Sequence, residues 1–137
     1  MPEFDEENWC EERRAQVVAY LASQHLNHGE VGEWPAWYIA PHVSIWAVES
    51  LKRPGSVGWW VICGDLPTDY CSATQPVHPR NAAREFSKNW AVAASAYRPG
   101  DVTLGETGLP ASLAPLLRER AELLRAWVED DGLWPPA

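Results

Sequence analysis

The run Gly58-Trp59-Trp60-Val61-Ile62-Cys63-Gly64-Asp65-Leu66-Pro67-Thr68-Asp69-Tyr70 constrains this chain more than any other stretch. Its first half is strand-like, and in a strand successive side chains point to opposite faces. Trp59 and Trp60 therefore cannot serve the same face. Either the strand is buried on both sides, or one indole is committed to something other than the core. The second half sets two aspartates, Asp65 and Asp69, four residues apart beyond the strand.

Nine tryptophans in 137 residues sharpen the point. Each indole buries ~150–250 Å², so a few can dominate a small core. We expect roughly three in the core, because tryptophan is highly buried on average. Trp34, Trp37 and one of Trp59 or Trp60 are expected to remain as surface contacts. A chain of this length is expected to form one domain, residues 1–137.

The spacing predicts a helix over 5–27. Asp5 suits its N-cap, Glu6 and Glu7 oppose the positive end of its dipole, and Gly29 and Gly32 end it. Strand-like runs over 38–50 and 57–64 flank the turn Lys52-Arg53-Pro54-Gly55 and are expected to pair as an antiparallel hairpin. Residues 69–73 can supply a third strand. A second helix is expected over 79–97, with Pro79 in its first turn and Phe86, Trp90, Ala93, Ala94 and Tyr97 on one face. A third is expected over 112–130, capped by Ser112, with Pro115 tolerable only in the first turn. Glu129, Asp130 and Asp131 are poorly placed at its negative end. A hairpin cannot stand alone in water. The expected fold class is α+β, a small antiparallel sheet covered by three helices.

Nineteen acids against eleven bases give a formal charge of −8. Phosphates repel such a surface, so neither nucleic acid nor an anionic membrane is expected as a partner. A basic protein is a better match, since acidic charge speeds its approach. No run approaches the ~20 apolar residues that cross a bilayer. The acidic start MPEFDEENW lacks the regions of a signal peptide, so a cytoplasmic location is expected. Cys10, Cys63 and Cys71 are odd in number and read as reduced thiols.

Asp65 and Asp69 can share a proton or bind a cation, but Asp is also the residue that accepts backbone N–H bonds in turns. Cys63, Cys71, His42 and His78 carry zinc-binding atoms at spacings that match no compact knuckle. No Gly-X-Ser-X-Gly, His-Glu-X-X-His, P-loop or Gly-X-Gly-X-X-Gly motif is present, and neither a metal nor a cofactor is expected. Arg80, Arg84 and Lys88 recur at every fourth position of the second helix, a basic stripe that calls for counter-charge.

The run WWVICGDLPTDY, with EWPAW and FDEENWCEERRAQVVAYL, resembles a bacterial family of small Trp-rich proteins catalogued only as a domain of unknown function. The resemblance implies a single-domain bacterial protein and brings no activity, cofactor or catalytic residue. In style the chain is also similar to bacterial immunity proteins, which neutralise toxins by binding them.

Two readings follow. The first is a non-enzymatic cytoplasmic protein-binding module of the immunity type, anchored by Trp34, Trp37 and Trp59 or Trp60 and steered by acids. The alternative is a small enzyme or ligand-binding domain with a pocket at the end of strand 57–64. That pocket would use Asp65, Asp69, Tyr70 and His42.

Overall fold

Asp5 starts the first helix, α1 (Glu6–Ser23), by accepting the Asn8 N–H at 3.0 Å. Glu6 and Glu7 follow in the first turn, where carboxylates meet the positive end of the dipole. A computed structural model describes residues 4–74, 77–104 and 109–135. The helix stops at Ser23 rather than 27 because His25 turns the chain at φ 54, a left-handed position more often held by glycine. The glycines expected to end the helix do something else. The N–H groups of Gly29 and Gly32 donate to Glu49 O at 2.8 Å and Ala47 O at 3.0 Å, so this segment lies along a strand.

Four antiparallel strands follow in spatial order: β1 (Trp37–Ile39), β2 (Val43–Glu49), β3 (Val57–Gly64) and β4 (Leu66–Ser72). With three helices they make an α+β arrangement. The expected β2–β3 hairpin forms. The expected strand over 38–50 is instead two strands, reversed at Ala40-Pro41-His42, where the Ala40–Pro41 peptide is cis. Pro41 has no N–H to give a ladder, and His42 N donates back to Ile39 O at 2.7 Å. The third expected strand, 69–73, begins earlier, directly after the Asp65 turn. Gly64 makes that turn possible at φ 141, where a Cβ would lie 2.5 Å from His42 O.

The register sets Ser44, Trp46 and Val48 beside Cys63, Val61 and Trp59 on one sheet face. Helix α1 packs there. Its Val17 and Leu21 join Val31, Trp46, Val48, Val61 and Cys63 in one core cluster, with Tyr20, Leu26, Trp59 and Tyr70 at the margin. Each fully buried aliphatic side chain stabilises the fold by about 1.5–3 kcal/mol. Polar contacts fix the helix in place: Arg14 donates to Val31 O and Gly32 O, and Gln16 donates to Thr68 Oγ1 at 3.0 Å. On the opposite face Val43, Ile45, Trp60 and Ile62 are also buried. The adjacent tryptophans thus reflect a strand buried on both sides.

The chain divides into two compact units, Met1–Pro79 and Arg80–Ala137. In the second, α2 (Pro79–Ser95) opens on Pro79 and buries Ala82, Ala83, Phe86, Ser87, Trp90, Ala93 and Ala94. It runs antiparallel to α3 (Ala114–Glu129): Arg80 meets Val128, Ser87 meets Ala121 and Arg118 meets Ala94. Alanines at these facing positions let the helices approach. Ser112 does not cap α3, because Ala111–Leu113 form a 3-10 turn that leads into it, while Pro115 falls in the first turn. The acids after α3 have work to do. Asp130 accepts the Gly132 N–H at 3.0 Å, and Asp131 pairs with Arg80 at 2.6 Å. Arg80 Nε also donates to Val128 O at 2.8 Å, placing a cation on the negative end of α3. The first member of the basic stripe thereby finds its counter-charge.

Candidate functional site

Four of the residues singled out by sequence, His42, Asp65, Asp69 and Tyr70, belong to the β3–β4 hairpin and the turn beside it. The backbone joins two of them: Asp65 N donates to His42 O at 2.8 Å, and both side chains are exposed. Asp69 is not in the turn. It lies within β4 opposite Ile62, and its Oδ1 accepts the Tyr70 N–H at 2.8 Å. Asp69 and Tyr70 therefore point to opposite sheet faces. The Tyr70 ring packs edge-on against Tyr20 of α1 and against Trp59, with centroids 6.0 and 5.8 Å apart. Burial, followed by the nearby Asp69 and Tyr70, pushes the Tyr20 phenol well above its ordinary pKa. Among the described residues no group of three His, Cys, Asp or Glu is placed to hold a metal ion.

The tryptophans divide sharply. Trp37 and Trp60, both weighed as surface contacts from sequence, are 6% and 4% exposed. Trp37 pairs with Ile45 in β1, which aligns it with the Ile45 and Trp60 face. Trp59 is half-buried, and Trp34 is 47% exposed. Trp34 is nonetheless held. Its ring meets Tyr38 edge-on at 5.8 Å, and Tyr38 lies 6.3 Å from the Trp9 ring of α1. The Arg13 guanidinium sits 5.7 Å over Trp9. A hydrogen bond from the Tyr38 hydroxyl to the Glu6 carboxylate, aided by burial, pushes the phenol up to about 12, while a hydrogen bond with Trp34 partly opposes this. Sequence reasoning missed Tyr38, Trp9 and Arg13 as the support for Trp34. The acids of α1, Asp5, Glu6, Glu7, Glu11 and Glu12, are all exposed, as is Glu33 beside Trp34.

A groove of about 650 Å³ lies at the far end of β3, lined by Val57, Gly58 and Trp59 together with the β2–β3 turn. The pocket expected beside Asp65 would lie at the other end of that strand, seven residues or about 23 Å away at ~3.3 Å per residue. The turn that carries Lys52 and Arg53 shapes the groove, and neither residue stood out from sequence as more than a polar turn.

Comparison with family models matches residues 3–134 to Domain of unknown function (DUF4826). No curated protein and no solved structure matches the chain.

Proposed function

The chain belongs to the DUF4826 family, and from the surface of its first unit we propose that it is a non-enzymatic module that binds a basic protein. One observation carries this reading: Trp34 is exposed and held by Tyr38, with Glu33 next to it in the chain and Glu6 bonded to that same Tyr38. An indole locked in place loses little entropy on contact, and tryptophan is among the residues that dominate binding energy. Carboxylates around such an anchor steer a cationic partner and add little to its final affinity. A toxin inhibitor of the immunity type, acting in the cytoplasm by covering its target's surface, is the form of module this arrangement suits. No helix of the described residues is long and apolar enough to cross a membrane. The strand-end reading with His42, Asp65, Asp69 and Tyr70 has weaker support, since Asp69 is engaged with backbone and Tyr70 with packing.

The test is affinity capture with immobilised wild-type and Trp34→Ala chains. The wild type should retain a basic protein, and Trp34→Ala should weaken retention by about 2 kcal/mol, the scale of an aromatic anchor. Added salt should slow association. Equal retention by both chains, or a partner indifferent to salt, would overturn the reading.

A further inference from the structure

We infer that the groove at the start of β3 binds a small phosphorylated ligand with a flat ring, of the nucleoside monophosphate class. On a chain of net charge −8, the groove is lined by Lys52 and Arg53 and, among the described residues, by no carboxylate. The ion pairs of the described residues involve Arg13, Arg80 and Arg120, not these two cations. Glu49, the acid closest in sequence, instead accepts the Gly55 N–H at 3.0 Å and does not line the groove. A lysine and an arginine side by side, without a carboxylate to neutralise them, fit a phosphate group.

The loop that presents the cations is tied down at several points. Ser50 Oγ accepts the N–H groups of Lys52 and Arg53 at 3.2 and 3.3 Å, and Ser50 N donates to Ser56 O at 2.9 Å. Gly58 lets β3 lie close against this loop, since a Cβ there would meet Ser50 Cα at 2.8 Å. Half-buried Trp59 lines one side, fixed edge-on by Tyr70, and offers aromatic surface to a planar ring. Asn27 adds an amide, and the Ser72 and Thr74 hydroxyls, which bond each other at 2.7 Å, form a fixed polar pair at the rim. A volume of about 650 Å³ lies within the range of small-molecule sites. The groove is separate from Trp34, so the inference stands or falls apart from any protein partner.

The test is calorimetric titration of the full chain with AMP, adenosine and inorganic phosphate, alongside backbone amide NMR shifts. AMP should bind with shifts centred on residues 50–59 and 72–74, and more tightly than either adenosine or phosphate. Lys52→Ala/Arg53→Ala lies on an exposed loop, should keep the wild-type spectrum elsewhere, and should weaken AMP on the order of tenfold or more. Absence of binding at millimolar AMP overturns the inference. So does binding of adenosine or phosphate as tight as that of AMP, or unchanged affinity in the double variant.

Discussion

The indole N–H of Trp46 donates to Ser44 Oγ at 2.9 Å, and both residues are fully buried. The serine hydroxyl in turn donates to Cys63 O at 3.1 Å, across to β3. The largest fully buried side chain of the first unit therefore has its one polar atom satisfied two residues away on the same face of β2. Ser44→Ala would leave that N–H with no partner in an apolar layer. We expect a loss of about 1–3 kcal/mol in urea unfolding, and a smaller loss when the same change is made in a Trp46→Phe background.

Thiol chemistry should separate the three cysteines. Cys10 and Cys63 are buried and Cys71 is half-buried. Burial raises the pKa of both buried thiols, with Glu6 adding to the effect at Cys10 and hydrogen bonding with Ser44 partly opposing it at Cys63. Titration with a chromogenic disulfide at neutral pH should modify Cys71 first. Cys10 and Cys63 should follow only at the rate of unfolding.

Alkaline pH should destabilise the protein through two phenols. Tyr20 and Tyr38 both hold their protons more tightly when folded. An unfolded tyrosine ionises near pH 10, so below that value their contribution is fully present. It is lost as pH rises from about 10 through about 12, where Tyr38 ionises in the fold. Absorbance at the tyrosinate band should show these two phenols titrating late. Tyr38→Phe should flatten the fall in melting temperature across that window.

Gly64→Ala should be among the most disruptive single-methyl changes. It forces a side chain into φ 141 and into the His42 carbonyl at 2.5 Å. Strain of this kind costs of order 1–3 kcal/mol. A thermal melt should show the loss, and the control Gly55→Ala, with open space around it at φ 87, should lose less.

Local signals in the sequence translated well into structure. Asp5 and Asn8 sit three residues apart, and the cap they form needs nothing distant. The turn Lys52-Arg53-Pro54-Gly55 between two short strand-like runs correctly paired β2 with β3, because a short loop leaves neighbouring strands little choice but to pair. Non-local pairing was the obstacle. Trp34 and Trp37 share one aromatic connector, and only the pairing of Trp37 with Ile45 decides which is buried. The same holds for Gly29 and Gly32, whose partners Glu49 and Ala47 lie far along the chain in β2. The groove was overlooked because its cations read as an ordinary turn until the fold set Trp59 and Thr74 beside them.

The bond from the Tyr70 N–H to the Asp69 carboxylate occupies a donor on the last strand of the sheet. Ala73 N, three residues on, donates inward to Gly58 O, so the Tyr70 amide faces away from β3. Pro67, earlier on the same strand, has no amide hydrogen to offer. A neighbouring chain that tried to zip onto this margin as a fifth strand would meet an occupied donor, a negative charge and a missing N–H. On this side the sheet is thereby guarded against edge-to-edge growth into fibres.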